Sequence, residues 1–122
     1  MSGVTIYTLK NCDTCRSAIQ WLKRHGIGFV EKPIRETPPD LSELRAMLAA
    51  QGGEMRRLFN TAGAEYRAQQ LGAKLPGLST AAALGLLAQN GSLVKRPFLV
   101  GAGVALVGWD EAVWAAALLT GR

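Results

Sequence analysis

An α/β fold, a small mixed sheet covered by helices on both faces, is the architecture this sequence predicts, and three patterns predict it. The first third reads strand, helix, strand; the middle is a series of short helical pieces broken by glycine and proline; the last quarter reads hairpin, then helix. Two strands joined through a helix favour parallel pairing with a right-handed crossover, because parallel strands cannot be joined by a tight turn. Helices between and after the strands then have two sheet faces to cover. A chain of 122 residues, 48% apolar and 19% charged, suits one domain with one core over residues 1–122.

The elements follow in order. Val4 to Thr8 alternates, with Val4, Ile6 and Thr8 on one face and Thr5 and Tyr7 on the other, and is rich in β-formers. After the loop Leu9 to Cys12, apolar residues recur at Cys15, Ala18, Ile19 and Leu22, the spacing of an amphipathic helix with Asp13 or Thr14 as cap. Lys23, Arg24 and His25 suit the negative end of that helix dipole, and Gly26 ends it. Gly28 to Ile34 is the second strand. Asp40 or Pro39 opens a helix from Leu41 to Ala50, stopped by Gly52 and Gly53. Met55 to Phe59, Ala64 to Leu71 and Ser79 to Gln89 are further helical pieces, interrupted at Gly63, Gly72, Pro76 and Gly77. From Pro97, F-L-V, G-A-G and V-A-L-V-G read as a hairpin with a glycine-rich turn. Asp110 caps a last helix whose apolar face is expected to carry Val113, Trp114, Ala117 and Leu118.

Charge excludes little by itself. The net charge of +5 is spread among acids rather than gathered in a block, so it attracts small anions or an acidic protein face as readily as nucleic acid. No basic helix with interleaved aromatics points to direct DNA binding. The start lacks a charged head followed by a long apolar run, which leads us to expect a cytoplasmic protein. The uncharged run Leu75 to Val94 is interrupted by Pro76, Gly77, Gln89, Asn90 and Gly91, so Ala81 to Ala88 reads as a buried helix and not a membrane span.

Both cysteines stand in K-N-C-D-T-C-R, and in a reducing compartment such a pair points to redox, catalytic or metal chemistry rather than a structural staple. Cys12 falls where a strand gives way to a helix, and free backbone amides there stabilise negative charge. A thiol of ordinary pKa about 8.5 is lowered by such a site and by nearby cations. Lys10 and Arg16 flank it in sequence. Cys15, one turn on, suits a resolving thiol, although the same position also suits a small buried core residue. A zinc site needs two more ligands, and His25 is the only histidine, so no metal is expected. His25 reads as a helix-end residue, Trp21, Trp109 and Trp114 as core, and Arg56 and Arg57 as a solvated face. In Lys95-Arg96-Pro97 an arginine stands at a strand edge before a proline, and spacing alone leaves open whether that edge adjoins Cys12.

These segments together resemble the arsenate reductase (ArsC)/Spx/YffB family of thioredoxin-like proteins. The resemblance lies in V-T-I-Y-T-L-K-N-C-D-T-C-R, E-T-P-P, R-R-L-F-N-T-A-G-A-E-Y-R, V-K-R-P-F-L-V and V-G-W-D-E. It implies a thioredoxin-like sheet with a helical insertion at about residues 40–90, a nucleophilic Cys12 in an anion-binding loop, and Arg96 before a cis Pro97 facing that loop. It also sets three functions side by side. Arsenate reductases surround the oxyanion with three arginines, matched here by Arg96 but by Asn60 and Gly108 at the other two positions. Spx-type regulators use C-x-x-C as a redox switch and bind the RNA polymerase α-subunit. The YffB-like branch, which shares K-N-C-D-T, N-T-x-G and K-R-P, implies glutathione-linked thiol reduction.

The expected function is therefore thiol-disulfide exchange with Cys12 as nucleophile and Cys15 or glutathione resolving. Arg96 is expected to complete the catalytic group, and Lys10, Asn11, Asp13, Thr14, Arg16 and Pro97 to form the anion site. No bound cofactor is expected, with glutathione or another thiol or disulfide as co-substrate.

Overall fold

The first strand, β1 (Val4–Thr8), lies inside a four-stranded sheet of order β2-β1-β3-β4. The computed structural model describes residues 3–119, so residues 1, 2 and 120–122 of the expected domain lie outside the described residues. Strand β2 (Phe29–Pro33) runs parallel to β1, with Thr8 opposite Pro33, while β3 (Phe98–Gly101) and β4 (Val104–Val107) are antiparallel additions on the other side. Because β2 is an edge strand, Pro33 removes no ladder bond that the sheet needs. The expected ends at Gly28 and Ile34 still touch β1: Val4 N–H donates to the Gly28 carbonyl at 3.1 Å and Ile34 N–H to the Thr8 carbonyl at 2.9 Å.

Alternation along the inner strands divides the core in two, as the pleat requires. Val4, Ile6 and Leu99 face α1 (Asp13–Arg24) and α6 (Glu111–Leu118), where they meet Ala18, Trp21, Leu22 and Trp114. Tyr7, Phe98 and Val100 face the helical segment α2 (Leu41–Ala50), α3 (Ala64–Ala68), α4 (Leu71–Lys74) and α5 (Thr80–Gln89), meeting Leu44, Met47, Leu84 and Leu87. Both faces are thus covered, and the strand-helix-strand, helical insertion, hairpin, helix order is the thioredoxin-like arrangement expected. Helix α2 is fastened at its start by a capping box. Glu43 N–H donates to Asp40 Oδ1 at 2.8 Å, Asp40 N–H donates to Glu43 Oε1 at 3.0 Å, and the buried Tyr7 hydroxyl donates to the same Glu43 oxygen at 2.6 Å.

Four sequence expectations are corrected. Cys12, not Asp13 or Thr14, is the cap of α1, because its sulfur accepts from the Cys15 amide. The expected helix Ala64 to Leu71 is two pieces: Gln70 turns left-handed at φ 54°, and Gly72 lies inside α4 facing the Tyr66 ring instead of breaking a helix. That reversal lets both Leu71 and Leu75 reach the core. On α6, Val113 and Ala117 are exposed, and the buried stripe is Trp114 with Ala115 and Leu118 packed beside it. The largest side chain sets the rotation of the helix. Trp114 packs edge-on against Trp109 and Trp21, with ring centroids 5.0 and 6.4 Å away, and its Nε1–H donates to the Gly108 carbonyl at 3.0 Å. Helix α5 covers the expected Ala81 to Ala88, but Ala81 and Ala82 face outward, so it is buried on one side only. No helix among the described residues is long and apolar enough to cross a membrane.

Candidate active site

The carboxyl ends of β1 and β2 lie at the same edge of the sheet because the two strands are parallel, and the cysteine loop leaves from that edge. Thr8, 6% exposed, ends β1 and donates its hydroxyl to Glu31 Oε2 at 2.5 Å. Asn11 then adopts a left-handed conformation, φ 61°, which asparagine tolerates better than most residues with a side chain. The turn delivers Cys12 in an extended conformation to the start of α1. Its Sγ accepts from the Cys15 amide at 3.3 Å and lies 3.3 Å from the Thr14 hydroxyl.

Two opposing influences act on this sulfur. Burial alone pushes the Cys12 thiol up, but hydrogen bonds from the Cys15 thiol, the Thr14 hydroxyl and the Cys15 amide, with the charge of Arg96, bring it below its ordinary value. Cys15 is only 3% exposed, and its thiol is pushed up to about 12, first by burial and then by the hydrogen bond and charge of Cys12. Both thiols are free. The two sulfurs are therefore unlike: Cys12 is partly exposed and held below the ordinary thiol value, whereas Cys15 is buried and held above it. Cys15 is a buried core residue, as one of the two sequence readings has it, and its amide contacts the Cys12 sulfur.

Arg96 supplies the cation. Its Nη1 donates to the Ser92 and Val94 carbonyls at 3.1 and 3.0 Å, and the Asn60 amide oxygen, in the orientation that satisfies its neighbours, accepts from both Nη groups at 3.3 Å. These anchors fix the half-buried guanidinium where its charge acts on both cysteines. The Arg96–Pro97 peptide is cis, and the buried Pro97 accepts from Gly108 N–H at 2.9 Å. The adjacency that spacing left open is thus present.

The remaining expected residues divide between cleft and surface. Lys10, Asn11 and Arg16 line a cleft of about 280 Å³ with Cys12, Cys15 and Glu31. A neighbouring cavity of about 300 Å³ continues past Lys10 and Glu31 to Pro33. Arg16 forms an ion pair with Asp13 on the exposed first turn, so part of its charge answers Asp13. Among the influences on Cys12, Arg96 is the cation, and neither Lys10 nor Arg16 appears. Thr14 acts through its side chain. Among the described residues no group of three or more His, Cys, Asp or Glu is arranged to hold a metal. His25 ends α1 with its ring 4.5 Å from that of Trp21.

Sequence reasoning passed over Glu31 and Arg35. The signal was available: a parallel β-α-β unit sets residues at the end of the second strand beside the loop that leaves the first. Glu31 therefore lies with K-N-C at the cleft, while Arg35 reaches the Ser92 hydroxyl beside Arg96.

Comparison with known proteins places the chain in a family. The ArsC family model matches residues 7–117. YusI of Bacillus subtilis is 39% identical over 109 residues, covering 89% of this chain and 92% of that protein. The global transcriptional regulator Spx of Enterococcus faecalis is 31% identical over 108 residues, covering 88% of this chain and 80% of that one. Among solved structures, a possible arsenate reductase from Streptococcus mutans superposes with a TM-score of 0.87 at 35% identity, covering 97% of this chain and all of that one. With its thioredoxin-like sheet, its cysteine loop and this coverage, the chain belongs to the ArsC family.

Proposed function

We propose that the protein is a thiol-disulfide oxidoreductase in which Cys12 attacks and Cys15 or glutathione resolves. The observation that carries this reading is the Cys12 sulfur at the cap of α1, hydrogen-bonded by an amide and a hydroxyl and within the field of Arg96. In the first step the thiolate attacks one sulfur of a disulfide RS–SR, forming Cys12–S–SR and releasing RS⁻. In the second, the Cys15 thiol loses its proton and attacks the Cys12 sulfur. RS⁻ leaves again, so the two electrons pass to the two released thiolates and the Cys12–Cys15 pair is left oxidised as a disulfide. Two glutathione molecules, oxidised to glutathione disulfide, restore the dithiol. When glutathione resolves instead, it attacks the mixed disulfide and frees Cys12 directly.

The resting thiol of Cys15 is held up by burial first and by the Cys12 hydrogen bond and charge next. Once Cys12 enters a mixed disulfide its charge is gone, so Cys15 becomes easier to ionise at the moment a resolving thiolate is needed.

The test is mass spectrometry after mild oxidation with glutathione disulfide. Wild type is expected to pass to an intramolecular disulfide, and Cys15→Ala to accumulate one glutathione adduct on Cys12. Absence of both species would overturn the reading; an adduct on Cys12 alone in wild type would assign resolution to glutathione.

A second reading has an observation of its own, the similarity to proteins named Spx. In it the same cysteines gate binding to the RNA polymerase α-subunit and turn nothing over. Capture of that subunit's C-terminal domain in one redox state, without glutathione-dependent turnover, would favour it. Arsenate reduction is the weakest of the three. Asn60 is a neutral partner of Arg96, and Gly108 sits at φ 75°, where a side chain is strained and its Cβ would meet Lys95 Cε at 3.0 Å.

A further inference from the structure

Two guanidinium groups converge on Ser92 with no carboxylate between them. Arg35, just past β2, donates from Nε to the Ser92 hydroxyl at 3.1 Å, while Arg96 donates to the Ser92 carbonyl at 3.1 Å. One residue therefore anchors both cations. Arg35 is exposed and Arg96 half-buried, so the pair leads from solvent toward Cys12. Among the described residues the ion pair found is Arg16 with Asp13, whereas the hydrogen-bond partners of Arg35 and Arg96 are hydroxyl, carbonyl and amide oxygens.

The proximity of the two charges is felt electrostatically. Burial is the largest influence on Arg96 and lowers it, the two cysteines raise it, and the charge of Arg35 lowers it further. Neutral oxygens orient such a pair without cancelling its charge, so repulsion remains to be relieved by an anion from outside. The backbone fixes where that anion would sit: Ile34 N–H is bonded to the Thr8 carbonyl at 2.9 Å, which holds Arg35 at the root of the cysteine loop. At the same root Glu31 is tied to Thr8 and lines the cleft beside Cys12, where its carboxylate disfavours an anionic group and leaves the arginines as the place for one.

We propose that Arg35 is the outer half of a two-guanidinium carboxylate site whose inner half is Arg96, and that it selects carboxylate-bearing disulfides and thiol conjugates for Cys12. This rests on the reading of Cys12 as the attacking thiolate. Carboxylate is the anion chosen because the substrates of thiol-disulfide exchange are disulfides, the small ones built from cysteine carry carboxylates, and each guanidinium fork matches a carboxylate in shape.

The experiment compares the rates at which Cys12 attacks two disulfides, the dianionic dithiobis(nitrobenzoate) and the neutral dithiodipyridine, in wild type, Arg35→Gln, Arg35→Lys and Arg24→Gln. The ratio of anionic to neutral rate removes any common change in thiolate reactivity. Arg35→Gln is expected to lower that ratio about fivefold, the size of one partly screened charge pair, with the difference shrinking as salt rises. Arg35→Lys is expected to restore most of it. Arg24→Gln removes the same charge from the far end of α1 and is expected to leave the ratio in place. A ratio unchanged in Arg35→Gln, or lowered equally by Arg24→Gln, would overturn the proposal while leaving Cys12 as nucleophile. A wild-type Cys12 no faster than a simple thiol toward both disulfides would instead overturn the underlying reading, and the proposal with it.

Discussion

Cys12→Ser is expected to remove disulfide attack, a loss of roughly a thousandfold or more, while Cys15→Ser keeps the first step and loses the intramolecular disulfide. The asymmetry follows from where the two sulfurs sit. Cys12 is partly exposed at the mouth of the cleft, and its charge is met by the Cys15 amide, the Thr14 hydroxyl and Arg96. Serine at this position keeps a cap for α1, since a hydroxyl also accepts from a helix amide, so the fold is expected to survive. What is lost is a sulfur whose ionised form the site favours. Cys15 is buried and protonated at rest, so its replacement leaves the nucleophile in place. The measurement is the burst of released thiol in the first turnover, with melting curves to show that both variants are folded. Equal loss in the two variants would contradict the division of roles.

Trp114→Ala is expected to cost about 3–5 kcal/mol, a fall in Tm of roughly 10–20 °C for a domain of this size. The ring is 1% exposed, lies among Trp21, Trp109 and the Leu99 face of the sheet, and donates its N–H to Gly108. Removing it leaves both a large cavity and a buried carbonyl without its partner. Trp114→Phe separates these effects by restoring most of the volume without the donor, and should recover more than half of the loss in denaturant titration. Gly108 in turn donates to the carbonyl of Pro97, so the same contact steadies the turn that carries Arg96. A change below 1 kcal/mol for Trp114→Ala would mean that α6 does not hold the sheet as described.

Much of this arrangement was legible in the sequence, and the reasons differ from element to element. Strand β1 and helix α1 were readable because hydrophobic period and turn chemistry agree there, and Pro39 or Asp40 marked the start of α2, which the structure assigns to Asp40. Helix α6 was found, but its rotation was not. A stripe of small apolar residues runs around most of that helix, so pattern alone could not tell Val113 from Ala115. The break at Gln70 escaped because a glutamine in the left-handed region leaves no compositional mark, whereas nearby Gly72 suggested a break that does not occur. At the site, Cys12 was legible from its place between strand and helix. The placement of Arg96 came from resemblance alone, since it depends on pairing between strands some ninety residues apart in sequence. Flanking in sequence did place Arg16 at the cleft, but it could not show that the side chain also pairs with Asp13. Glu31 and Arg35 were missed for the converse reason: parallel pairing brings Glu31 to the cleft, and Ser92 brings Arg35 to Arg96, across long separations in sequence.

The most direct measurement is the ultraviolet titration of the Cys12 thiolate in Cys15→Ala, with and without Arg96→Gln. Removing Cys15 takes away its thiol donor but leaves the backbone amide, the Thr14 hydroxyl and the Arg96 charge. The midpoint is expected below the ordinary thiol value of about 8.5, and Arg96→Gln is expected to move it upward. The sign carries over to folding. A thiol lowered in the native state contributes stability that is present above the unfolded value and lost as pH falls through the native one. A midpoint at or above the ordinary value, unmoved by Arg96→Gln, would contradict the account of Cys12 as a stabilised thiolate.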